Sequence, residues 1–211
     1  MELQQFTDFL AVGLKDADAL RPSPPPSRTG TIYQAGIGAH SEDRMVELAL
    51  AAVSSRLNGV TVETRVPYPR SGRIKCDVRL SGGTNWAIEV KLLRRLGDNG
   101  KPNDNILMHI LSPYKQDRST VTDCVKLAQS EFTARQAVMI TGFEYTEWPL
   151  EPAVKAFERI ASDLVNLRPC APVKFSGLVH PVQREGAVFA WDIIGSRRYI
   201  LLKADSLPHC Y

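Results

Sequence analysis

The chain reads as an α/β protein with a mixed central β-sheet flanked by helices. Three observations carry that reading. Two amphipathic helical stretches precede residue 60, and short strand-like runs cluster between Val60 and Leu92. A continuous apolar run, Ala137-Val138-Met139-Ile140, then lies between two later helical segments, as an inner parallel strand would. The 211 residues, 44% hydrophobic and 23% charged, suffice for one α/β domain with a proper core.

The segment Glu2 to Leu20 predicts a helix with Leu3, Phe6, Phe9, Leu10 and Leu14 on one side. Arg21-Pro22-Ser23-Pro24-Pro25-Pro26-Ser27-Arg28 excludes helix and inner strand, because proline lacks a donor and fixes φ. Residues 1–30 therefore read as an N-terminal helix and Pro-rich arm, and 31–211 as the main domain with a C-terminal β segment. Ser41 is a good N-cap for a helix to about Leu57, closed by Asn58-Gly59. Strands follow at Val60 to Val66, Ile74 to Leu80 and Trp86 to Leu92, the last two joined by Ser81-Gly82-Gly83-Thr84-Asn85. A helix from Ser119 to about Phe132, the strand around Ala137 and a helix opened by Pro152 come next. The last forty residues suggest strands at Phe175 to His180, Ala187 to Ile194 and Tyr199 to Leu202.

Composition narrows the function classes. No apolar run is long enough for a bilayer, and the first twenty residues lack the basic start and apolar stretch of a secretory signal, so no membrane partner and a cytoplasmic location are expected. Cys76, Cys124, Cys170 and Cys210 form no C-x-x-C pair and no zinc spacing; Cys76 and Cys124 read as small buried hydrophobes. No Gly-rich phosphate loop and no Ser-His-Asp arrangement is recognisable. His109, set among Ile106, Leu107, Met108, Ile110 and Leu111, reads as a core or boundary residue, and His40 as a loop histidine. The net charge of +3 says little, but its distribution is uneven. Between Arg65 and Lys101, Arg65, Arg70, Arg73, Lys75, Arg79, Lys91, Arg94, Arg95 and Lys101 face only Asp77, Glu89 and Asp98.

The hairpin is where chemistry emerges. With a five-residue loop, Leu80 lies opposite Trp86, Val78 opposite Ile88, Cys76 opposite Val90 and Ile74 opposite Leu92. Period two then places all eight apolar residues on one side. The other side carries Lys75, Asp77 and Arg79 against Lys91, Glu89 and Ala87. Asp77 and Glu89 are directly opposed, roughly 5 Å apart at Cβ, where two like charges are unfavourable without a partner. A divalent cation between them would turn repulsion into coordination, since Mg2+ prefers carboxylate oxygens.

Asp77, an eleven-residue gap, then Glu89-Val90-Lys91 preceded by Trp86-Ala87-Ile88, resembles the D…(D/E)-x-K signature of the PD-(D/E)XK, or restriction-endonuclease-like, nucleases. The resemblance covers roughly Ser41 to Phe143; Cys76 stands where the signature's proline would be. It implies a restriction-endonuclease-like core and metal-dependent hydrolysis of phosphodiester bonds, in DNA for restriction, repair or defence. Asp77, Glu89 and the Val90 carbonyl would bind Mg2+, with Mn2+ as a substitute, and Lys91 would act on the attacking water or the phosphate. That fold often adds a carboxylate from its first helix. At 100° per residue Glu42 projects with Met45, Val46 and Ala49 while Glu47 projects away, so Glu42 is the candidate. Arg73, Arg94, Arg95 and Lys101 become candidate phosphate contacts, with Lys115, Arg118 and Lys126 behind them. The implied partner is double-stranded DNA, engaged by a homodimer or a larger defence or repair complex. The alternative is a catalytically silent nucleic-acid-binding or scaffolding subunit of the same fold.

Overall fold

The computed structural model describes residues 1–27 and 30–196. The strand expected at Tyr199 to Leu202, together with His209 and Cys210, lies outside the described residues.

Seven strands form one mixed sheet: β1 (Thr61–Pro67), β2 (Lys75–Ser81), β3 (Trp86–Leu93), β4 (Arg135–Phe143), β5 (Val165–Pro169), β6 (Val173–Ser176) and β7 (Glu185–Ser196). Their order is β1-β2-β3-β4-β7-β5, and β6 pairs with the first half of β7. Among the described residues only β3 and β4 run parallel, from Trp86 opposite Arg135 to Leu93 opposite Gly142. A parallel pair needs a crossover, and the helix α4 (Thr120–Ala128) supplies it. The β2–β3 hairpin has the expected register over Leu80–Trp86 and Val78–Ile88. β5 is not among the expected strands: Val165-Asn166-Leu167-Arg168-Pro169 alternates for only four residues before a proline, and it pairs with β7 through a bulge at Asn166/Leu167.

Both faces of the sheet are covered. On one, α1 (Leu3–Ala19) and α2 (Glu42–Val53) pack Phe6, Leu10, Leu14, Met45 and Ala49 onto Val78, Ile88, Val90 and Met139. A Cβ on Gly13 would collide with the Ala49 carbonyl, so glycine lets the two helices cross closely. The division at residue 30 therefore misplaces α1, which belongs to the main core; only the Pro-rich segment after it is peripheral. On the other face, α4 and α5 (Glu151–Ser162) pack Cys124, Leu127 and Phe157 against Ala87, Val138, Ile140 and Trp191. A four-residue helix, α3 (Met108–Leu111), precedes α4. Two expectations about burial fail here. His109 is exposed, because α3 turns it out of the core. Ile74 is half exposed and lies outside β2. No helix among the described residues is long and apolar enough to cross a membrane.

Candidate active site

β2 and β3 stop pairing beyond Val78 and Ile88, so Cys76 does not face Val90, Ile74 does not face Leu92, and Asp77 and Glu89 are not the directly opposed pair expected. Cys76 instead joins the core beneath α4 and α5. The edge of β3 keeps its backbone groups but loses its neighbour, and side chains replace the missing strand. The Cys76 thiol donates to the Ile88 carbonyl at 3.2 Å. Asp77 Oδ2 accepts from the Val90 N–H at 2.8 Å, and Glu42 Oε2 from the Leu92 N–H at 2.6 Å. Buried amides must be paired, so this parting of the hairpin holds two carboxylates in fixed positions.

Glu89 projects toward α4 and is only 3% exposed. Its Oε1 accepts from the Tyr68 hydroxyl at 2.5 Å and lies 2.8 Å from Lys126 Nζ. Lys126 also pairs with Asp123 Oδ1 at 2.6 Å and stands over the Tyr68 ring. Lys91 Nζ lies 2.9 Å from Asp123 Oδ2 and 3.5 Å from Glu42 Oε1. Asp77, Glu89, Lys91 and Glu42 are thus brought together, while Glu47 pairs with Arg44 and only lines the small cavity beside Glu42 and Asp77. Three further members were missed or misread. Tyr68 sits in a loop without pattern. Asp123 had one available signal, an acid within a helix whose neighbours Val121, Cys124 and Val125 are all apolar. Lys126 was expected to contact phosphate, and its ammonium is instead engaged by Glu89 and Asp123.

Four acids, Glu42, Asp77, Glu89 and Asp123, meet two lysines in this recess, so the charge is not balanced. Burial, then the charges of Asp77 and Asp123, pushes the Glu89 carboxyl up to about 8, against the pull of Lys126. Burial likewise raises Asp77, although its hydrogen bond with Glu89 opposes the rise, and raises Glu42 against the field of Lys91. Both shifts favour the protonated form of this carboxyl pair. Burial works to lower Lys91 and Lys126, but Asp123 with Glu42, and Asp123 with Glu89, outweigh it and hold both ammonium groups charged.

The donor set can be tested against a divalent cation. A cavity of about 10 Å3, the space of one water, lies against Glu42, Asp77 and Val90. In a strand, N–H and C=O of one residue point to the same edge, so the Val90 carbonyl shares the side on which Asp77 takes its N–H. Two carboxyls beside a carbonyl suit Mg2+. Among the described residues no group of three or more His, Cys, Asp or Glu side chains is arranged to hold a metal. Protein side chains alone thus do not complete the set; it needs the carbonyl and solvent.

The proposed phosphate contacts are dispersed. Arg73 and Lys101 are exposed on loops. Arg95 is half-buried, with its Nε unpartnered. Arg94 departs from expectation: its Nη1 bonds the carbonyls of Gly38 and His40, the latter at 2.9 Å, and burial lowers its pKa. It braces the turn that leads into α2 and so positions Glu42. Next to Lys91 and Glu42 a cleft of about 530 Å3 opens toward Ile106, Met108 and Arg118.

No protein-family model, no curated protein and no solved structure matches the chain. Its function has to be argued from residues and geometry.

Proposed function

We propose that the chain is a Mg2+-dependent nuclease with a restriction-endonuclease-like core, hydrolysing phosphodiester bonds in nucleic acid. The observation that carries this reading is the parted hairpin. It gathers Asp77 and Glu89 into contact, sets Lys91 and Glu42 beside them, and leaves the group short of positive charge.

Asp77, Glu89 and the Val90 carbonyl would hold the ion, which supplies acidification of an attacking water and neutralisation of charge on the scissile phosphate. Tyr68 and Lys126 fix Glu89 through its Oε1 while its carboxyl also meets Asp77. Lys91, kept cationic by Asp123 and Glu42, is suited to stabilise negative charge gathering on phosphate oxygens rather than to serve as a base. Glu42 anchors the Leu92 amide and shapes the recess in which a water is oriented.

One observation favours the silent alternative: Lys126 already offers Glu89 a positive charge without a metal. Incubation of the protein with plasmid DNA, oligonucleotides and RNA, with Mg2+ or Mn2+ and then with EDTA, separates the two. Cleavage that EDTA abolishes, and that Asp77→Asn and Lys91→Ala each reduce by about 1,000-fold or more, is the expected result. Stable binding with no cleavage under either metal would sink the enzyme reading and leave the scaffold.

A further inference from the structure

The acids of the site are recessed, with Glu89 3% and Asp123 4% exposed, so a scissile phosphate has to be carried down to them. The approach beside Lys91 and Glu42 is the cleft of about 530 Å3, a size that suits a nucleotide-scale ligand. A second cavity of about 270 Å3 adjoins it at Ile106, which lines both, and runs between Arg95 and Trp148. The two hollows thus share Ile106 as a wall, and the larger one lies beside the candidate site.

Their walls have a mixed chemistry. Ile106 and Met108 form an apolar floor, with Met108 43% exposed. Trp148 offers a ring at the far end. Arg95 and Arg118 line the two hollows, and neither guanidinium has an acidic partner among the described residues. Arg118 takes a left-handed backbone, φ 48°, immediately ahead of the Ser119 cap, where α4 begins. Of the two acids in the cleft wall, Asp117 accepts the Ser112 hydroxyl, and Glu42 accepts the Leu92 N–H and lies 3.5 Å from Lys91 Nζ. Unpaired cations beside flat or apolar surfaces are what a single strand requires, since every unpaired base has a π-face and every linkage a charge. A duplex keeps its bases stacked inside and has no face to lay on Trp148 or Met108.

We propose that the two hollows form one groove that binds a single strand of nucleic acid. Its bases lie on Trp148 and on the Ile106–Met108 floor, its phosphates against Arg95 and Arg118, and it delivers one linkage to Lys91. The assignment of the delivered linkage rests on the nuclease reading; the binding does not. It replaces duplex DNA with an unpaired strand, or the unpaired portion of a branched one, as the substrate class.

Fluorescence anisotropy of the whole protein in EDTA, where a metal-dependent enzyme is silent, tests this directly. The probes are labelled oligothymidylate, oligouridylate and a duplex of the same length. Either single strand, DNA or RNA, should bind at least about 10-fold tighter than the duplex. Trp148→Ala and Arg118→Glu should each weaken it by about 10-fold, with Arg118→Glu leaving the thermal midpoint unchanged because the residue is exposed. Equal or tighter binding of the duplex, or wild-type affinity in Arg118→Glu together with Trp148→Ala, overturns the groove even if the protein cuts DNA. Tight single-strand binding lost in those variants upholds the groove even where no metal elicits cleavage, a result that would overturn only the nuclease reading.

Discussion

Two clusters of buried charge lie on the same sheet and are balanced in opposite ways. Around Asp192, a carboxylate 4% exposed on β7, Arg135 and Arg168 approach to 2.6 and 2.5 Å. Arg135 also stacks on Trp86 and reaches Glu2, tying the start of α1 to the sheet. Each charge there has its counter-charge, and the arrangement serves cohesion. Around Glu89 four acids share two lysines, and the carboxyls keep a proton that solvent would remove. A cluster built for stability would not be left short of cations. The difference between the two marks which one is poised for a ligand.

The comparison can be broken by exchanging one acid for its amide in each cluster. Asp192→Asn should lower the unfolding free energy by about 2 kcal/mol, since it strips two arginines of their common partner, discounted because both are partly solvated. Glu89→Gln should do the reverse. Glutamine reproduces the protonated carboxyl, still accepts from Tyr68 and can donate to Asp77, so the thermal midpoint near pH 9 should rise by about 2–4 °C. Destabilisation of both variants to the same extent would erase the distinction.

A pH series sharpens it. Glu89 is raised from 4.5 to about 8, so the folded chain holds a proton that the unfolded chain gives up. The stability from that proton is complete below 4.5 and is lost as pH rises through about 8. The midpoint should therefore fall from about pH 5 to about pH 9, flatten in Glu89→Gln, and recover at the upper end when Mg2+ is added. A wild-type profile as flat as that of Glu89→Gln would contradict the retained proton. The smallest effect is expected of Tyr68→Phe, which keeps the ring against Phe132 but deletes the donor to Glu89. A loss of about 1 kcal/mol with weaker Mg2+ binding by calorimetry is expected; unchanged Mg2+ affinity would remove Tyr68 from the site.

Much of this was legible in the residues. The alternation of Val78, Leu80, Trp86 and Ile88 set the register as far as the Val78–Ile88 pair, whereas Asp77 and Glu89 lie beyond it and meet across the parted strands, not as the opposed pair expected. Helical spacing separated Glu42 from Glu47, and the unbroken run at Val138 and Ile140 announced a parallel inner strand. What escaped depends on tertiary context. Nothing local says that β2 leaves β3 after Val78, because period two continues through Cys76 and Ile74 in the sequence. The alternation of β5 covers only Val165 to Arg168, directly after α5 and before Pro169, too short to stand out from a helix end. Asp123 and Lys126 stand i, i+3 on α4, a spacing that reads as an ordinary surface pair until the crossover lays it over β3. Arg94 looked like part of a basic stretch, and only the fold reveals the carbonyls it closes upon.

The parted hairpin has one more consequence. The Val90 and Leu92 amides are shielded from solvent by the carboxylates of Asp77 and Glu42 instead of by a neighbouring strand. Their hydrogen exchange is therefore coupled to whatever those carboxylates hold. Two amides on one strand become an intrinsic gauge of occupancy, legible residue by residue and independent of any turnover.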